Sequence, residues 1–127
     1  MLDPGWTLIV VGVELSGESG TRVVVDMALD TGSTYMMIPW GVAEGLGHDP
    51  AASRDRIHLG TASSVEVVPL VTLKVVRALG VEATEVQAAS HDLPPGSRVR
   101  GLLGLSFLKN FDIDLHFRRG ILEARDI

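Results

Sequence analysis

Val23-Val24-Val25-Asp26-Met27-Ala28-Leu29-Asp30-Thr31-Gly32-Ser33-Thr34 is a run of β-branched and apolar residues that ends on a small polar turn. No proline interrupts it, so it reads as a strand. The two-residue period places Val23, Val25, Met27 and Leu29 on one face and Val24, Asp26, Ala28 and Asp30 on the other. The first face can be core. Asp30 then leaves the strand end pointing away from that core, on a tight loop. By composition alone the triplet Asp-Thr-Gly arises by chance in on the order of one in fifty chains of this length. The rest of the chain must therefore supply its context.

A length of 127 residues predicts one domain, spanning 1–127, with a core that needs no disulfides. Apolar residues make up 46% and charged residues 21%, with both signs mixed, which excludes a disordered chain. The net charge of −5 and the pI near 5.2 argue against a nucleic-acid surface, and Arg118-Arg119 is too short a basic cluster for a phosphate stripe. With no cysteine there is no disulfide framework, thiolate metal site or cysteine nucleophile. Neither a signal-peptide pattern nor an apolar run of transmembrane length occurs, so a cytoplasmic location and no membrane segment are expected.

In chain order, Thr7 to Leu15 reads as a first strand and Thr21 to Leu29 as a second, joined by the turn-rich Ser16-Gly17-Glu18-Ser19-Gly20. Tyr35 to Ile38 is a short apolar run, and Pro39 to Leu46 a brief helix that Gly47 ends. His48 to Asp55 is a polar connector. Arg56 to Leu59 and Val65 to Val68 form a second hairpin around the small tip Gly60-Thr61-Ala62-Ser63-Ser64. Leu70 to Val76 and Val81 to Ala89 are further strands about the turn Ala78-Leu79-Gly80, and Leu93-Pro94-Pro95-Gly96-Ser97 is a loop. Ser106 is placed to cap a short helix reaching about Asn110. Phe111 to Phe117 alternates strictly, and Ile121 to Ala124 returns after the turn at Arg118-Arg119-Gly120. Many short strands with one or two short helices predict an all-β, barrel-like fold.

Three motifs now stand in order: Leu29-Asp30-Thr31-Gly32-Ser33-Thr34, the small-tipped hairpin around Thr61-Ala62-Ser63-Ser64, and Gly101-Leu102-Leu103-Gly104-Leu105-Ser106-Phe107-Leu108 before a helix. Together they resemble the aspartic protease fold, and more narrowly its single-domain, retroviral-type (retropepsin-like) branch of bacterial and ubiquitin-shuttle proteins. The resemblance spans roughly residues 7 to 124. It implies a closed retropepsin-like β-barrel that is half of a symmetric dimer, and an aspartic endopeptidase that needs no cofactor or metal.

Peptide hydrolysis without a metal or a covalent intermediate needs a base to activate water and an acid for the carbonyl oxygen. Two carboxylates sharing one proton supply both, and the aspartic protease pair is itself the standard case of this behaviour. The chain has one Asp-Thr-Gly and one Leu-Leu-Gly, so the resemblance implies a C2 homodimer in which two Asp30 carboxylates meet. It assigns catalysis to Asp30, Thr31 and Gly32. Thr31 would hydrogen-bond across the dimer axis, and Gly32 would admit the backbone to the carboxylates. Substrate contacts would come from Ala28, Ser33, Gly60, Thr61, Ala62 and Ser63, though Ala28 is equally a packing residue. Leu102, Leu103 and Gly104 would support the catalytic loop. A Ser33 hydroxyl donating to Asp30 would favour the ionised carboxylate and tilt activity toward acidic pH.

The expected partners are a second copy of the chain and a peptide or protein substrate. The segment from Phe111 to Ala124 is either the dimer contact or an intramolecular sheet edge. His48, His58, His91 and His116 lack metal-ligand spacing and read as solvated or loop histidines. The main alternative is a non-catalytic peptide-binding or dimerisation domain on the same fold.

Overall fold

The computed structural model describes residues 8–60 and 65–126. Among these described residues there are nine strands: β1 (Val10–Ser16), β2 (Arg22–Leu29), β3 (Met36–Ile38), β4 (Arg56–Gly60), β5 (Val65–Ala78), β6 (Val81–Ser90), β7 (Gly101–Leu103), β8 (Asp112–His116) and β9 (Ile121–Arg125). Two short helices accompany them, α1 (Trp40–Gly45) and α2 (Leu105–Leu108), with a 3-10 turn at Pro50–Ala52 inside the polar connector. The expected tip residues Thr61, Ala62, Ser63 and Ser64, and Thr7 at the start of the first strand, lie outside the described residues.

The main sheet runs β1-β2-β7-β3-β6-β5, and β5 returns to pair with β1, closing a six-stranded barrel; β4 is added outside β5. The closing seam is short, matching Glu14, Leu15 and Ser16 with Arg77, Val76 and Val75. Arg77 reinforces it by donating to Glu14 at 2.9 Å and to Glu82 on β6 at 2.6 Å. As the two-residue period requires, Val25 and Met27 are buried in the core, while Val24 and Asp26 are exposed. Leu15, Met36, Ile38, Leu73, Leu103 and Phe107 fill the interior. Phe107 stacks obliquely on Phe111 with ring centroids 5.0 Å apart. Burying one such ring contributes about 1.5–3 kcal/mol.

The two expected strands before and after Pro69 are one continuous strand, β5. Pro69 is tolerated where β5 passes from its pairing with β4, which ends at Arg56↔Pro69, to its pairing with β6, which begins at Leu70↔Ala89. Alternation along β5 also breaks: Val71 and Leu73 are buried, then Val76 and Ala78, and β6 shifts in step from Ala83 to Val86 and Ala88. The shift falls where Lys74 and Glu85 form no ladder pair and Glu85 has φ of 54°.

Helix α1 begins after Pro39 and ends before Gly47, whose φ of 95° lets its N–H reach the Glu44 carbonyl at 3.0 Å. Ser106 does not cap α2. It lies inside the helix, where its hydroxyl accepts from Met36 N at 2.8 Å and donates to Gln87 O at 2.7 Å. Gly104 holds the cap position instead. Among the described residues, the C-terminal strands β8 and β9 pair only with each other. Ile113 and Leu122 lean on the core, while Leu115, Phe117 and Ile121 are exposed. Among the described residues, no helix is long and apolar enough to cross a membrane.

Candidate active site

Strand β2 delivers Asp30 to a half-buried position beside the parallel strand β7, which is matched as Met27↔Gly101, Ala28↔Leu102 and Leu29↔Leu103. The Asp30 N–H donates to Leu103 O at 3.0 Å, Ser33 N to Asp30 O at 3.2 Å, and Leu105 N to Ser33 O at 2.8 Å. Gly32 N donates to the carboxylate itself, reaching Oδ1 at 2.9 Å. Strand, turn and crossing segment are thus tied by main-chain bonds, leaving the carboxylate as the group that projects. Gly104 makes this crossing possible. A Cβ there would overlap Tyr35 O and stand 2.6 Å from Ser33 O.

The carboxylate opens into a cleft of about 340 Å³ lined by Gly32, Ser33, Thr34, Tyr35, Met37, Ile57, His58, Leu59, Ala89 and Leu102. The strand registers explain its floor. Leu102 pairs with Met37, and Met37 with Ala89, so three apolar side chains stand in a row across β7, β3 and β6. The same row continues on β2 as Ala28, two residues from Asp30 on the same face. The outer strand β4 supplies Ile57, His58 and Leu59 as the facing wall. Asp30 is the one carboxylate lining the cleft among the described residues, and no lysine or arginine joins it.

The sequence-predicted residues fall into distinct places. Asp30, Gly32 and Ser33 line the cleft, and so does Leu102, whereas Leu103 is fully buried under the loop. Ala28 ends the row on β2 but is 3% exposed and does not line the cleft. Thr31 is exposed beside Asp30, and its hydroxyl has no hydrogen-bond partner among the described residues. Gly60 ends β4 opposite Val65, while Thr61, Ala62 and Ser63 lie outside the described residues. The expected Ser33-to-Asp30 hydrogen bond is absent: Ser33 Oγ donates to Tyr35 O at 2.7 Å, which uses its single proton. The acidic tilt inferred from that bond loses its basis.

Tyr35, Met37, Ile57, Leu59 and Ala89 were not legible as cleft residues, because strands far apart in the chain bring them together. His58, read as a solvated histidine, is exposed yet stands on the cleft wall. His116 has a cluster that linear spacing hides, for hairpin pairing brings it near Asp114 and Glu123. Arg125 contacts Asp114 at 2.7 Å and Arg119 contacts His116 at 2.9 Å, so arginines occupy these groups.

The aspartyl protease family model matches residues 1–107, which leaves β8 and β9 beyond its end. Among solved structures, a retropepsin-like aspartic protease from Rickettsia conorii superposes with a TM-score of 0.60. The two share 18% identity, and the match covers 100% of both chains. No curated protein matches the chain significantly. A match over most of the length, together with the barrel and its Asp-Thr-Gly loop, places the chain in the aspartyl protease family, with the retropepsin-like fold.

Proposed function

We propose that the protein is an aspartic endopeptidase whose active site is completed by a second copy of the chain. The observation that carries this reading is the single carboxylate, Asp30, projecting into an apolar cleft with no second carboxylate lining it among the described residues. One carboxylate cannot serve as base and acid in the same step. A C2 axis past the Asp30 loop supplies the second. Thr31, exposed beside Asp30 and without a hydrogen-bond partner among the described residues, is then placed to hydrogen-bond across the axis.

In this mechanism an extended peptide lies along the row Leu102, Met37 and Ala89, with Ile57 and Leu59 facing it. Its main chain pairs as an added strand. The ionised Asp30 takes a proton from water as the water oxygen attacks the scissile carbonyl carbon. The protonated Asp30 of the partner subunit gives its proton to the carbonyl oxygen. The tetrahedral diol then collapses with cleavage of the C–N bond as the first Asp30 passes its newly gained proton to the amine nitrogen. The ionised Asp30 of the partner subunit takes one back from a diol hydroxyl. Gly32 N, already bonded to Asp30 Oδ1 at 2.9 Å, holds the carboxylate in place without occupying its second oxygen.

The test is cleavage of a denatured protein mixture over a range of pH by the wild-type chain and by Asp30→Asn. The variant is expected to lose activity by about 10³-fold or more, since both base and acid are removed. Equal cleavage by the two chains overturns the assignment.

A further inference from the structure

Next to the last cleft-lining residues of β4 and β6 stand two charged or titratable side chains, one across the hairpin on β5 and one just past the end of β6. Leu59 lines the cleft from β4, and its cross-strand partner on β5 is Glu66. Such partners project to the same side of a hairpin, so Glu66 shares the inward face with Leu59. Ala89 lines the cleft from β6, and His91, two residues on, continues that face past the strand end. The two side chains meet, with Glu66 Oε2 3.4 Å from His91 Nε2. They are 49% and 32% exposed, so the pair stands open at the rim of the cleft.

This pair differs in kind from the other ion pairs. Glu14 faces Arg22 and Arg77, Glu18 faces Lys74, Glu82 faces Arg77, and Asp114 faces Arg125, all cations that stay charged at any ordinary pH. Histidine is a cation only when protonated. Whenever His91 is neutral, Glu66 keeps an uncompensated negative charge at the end of an apolar floor. Of the neighbouring groups, His58 on the cleft wall, opposite Val67, is likewise a cation only when protonated, and the others do not offset the charge. Arg56 pairs across the hairpin with Pro69 and donates to Ala51 O at 3.0 Å, which engages its guanidinium. Asp92, which follows His91, is itself acidic and accepts from Trp40 N at 2.8 Å. Asp30, within the cleft, is acidic too.

We propose that Glu66 forms a rim subsite for a lysine or arginine side chain of a peptide lying in the cleft. His91 is its counter-group when the site is empty. The subsite rests on the peptide-cleft reading given above. Because the carboxylate is half exposed, its discrimination is modest, about threefold to tenfold between a cationic side chain and a neutral one of similar length.

The experiment scans each position flanking a cleaved bond with lysine, glutamine and glutamate. The ratios of kcat/KM are measured for the wild-type chain, Glu66→Gln and Glu66→Lys. Dissociation constants of the same peptides are measured by fluorescence anisotropy on the Asp30→Asn chain, with and without the Glu66 changes. One position is expected to favour lysine over glutamine by the stated factor. Glu66→Gln brings that ratio to about one, and Glu66→Lys turns the preference toward glutamate, a gain that misfolding cannot produce. Absence of a lysine preference at every position, or a preference that survives Glu66→Gln, overturns the subsite. If no chain cleaves but the Asp30→Asn background binds with the same charge preference, the subsite stands and the endopeptidase reading falls. Binding of none of the peptides, with no cleavage, overturns both.

Discussion

The main-chain N–H of Asp30 donates to the Leu103 carbonyl at 3.0 Å, so the Asp-Thr-Gly turn hangs from a strand far along the chain. The next residue, Gly104, lies against Ser33 O and Tyr35 O with no room for a side chain. Gly104→Ala is therefore expected to destabilise the fold by about 3 kcal/mol, because the obstacle is backbone and cannot rotate aside. Urea denaturation measures this, and a variant as stable as wild type would contradict the crossing.

Sharing of one site by two chains has a statistical signature. When wild-type and Asp30→Asn chains are mixed in equal amounts and allowed to exchange, about one quarter of the sites keep both carboxylates. Activity should fall to that fraction rather than to half. A linear dependence on the wild-type fraction argues for a site complete within one chain.

Among the described residues, the β8–β9 hairpin pairs with no other strand and leaves Leu115, Phe117 and Ile121 exposed, with Phe117 at 67%. Being a separate sheet among the described residues, it is not an edge of the barrel, and of the two roles open to it from sequence we propose the dimer contact. Phe117→Glu is expected to raise the dimer dissociation constant by about tenfold or more. Sedimentation at several concentrations reads it out. An unchanged constant places the interface elsewhere.

Ser90 is 1% exposed, and its hydroxyl has no hydrogen-bond partner among the described residues. Removing an unsatisfied buried hydroxyl relieves its desolvation cost, so Ser90→Ala should be neutral or stabilising by up to about 1 kcal/mol. A loss of stability on thermal or urea unfolding would show that the hydroxyl has a partner.

Much of this was legible along the chain, for local reasons. Valines at alternate positions set the two faces of β2, so the side from which Asp30 projects followed from a period of two. Pro39 and Gly47 bracketed α1 because each restricts or frees the backbone of its own residue. Where a residue's partner lies far along the chain, local chemistry misled. The Ser106 hydroxyl reads as a helix cap, but Met36 N and Gln87 O claim it. Ser33 lies three residues from Asp30 and still donates to Tyr35 O. Pro69 reads as a break between strands, yet β5 runs through it, since it stands where the strand changes neighbours.

The amino-acid sequence by itself determined the strand-borne Asp-Thr-Gly turn, the Leu-Leu-Gly segment that accompanies it, and the fact that each occurs once. Those are properties of short stretches and of a count. Only the tertiary structure decided the cleft. Its floor is set by the registers that align Leu102 with Met37 and Met37 with Ala89, and its wall by the pairing of β4 with β5. Register depends on how whole strands bury their apolar faces together, and no single stretch carries that information.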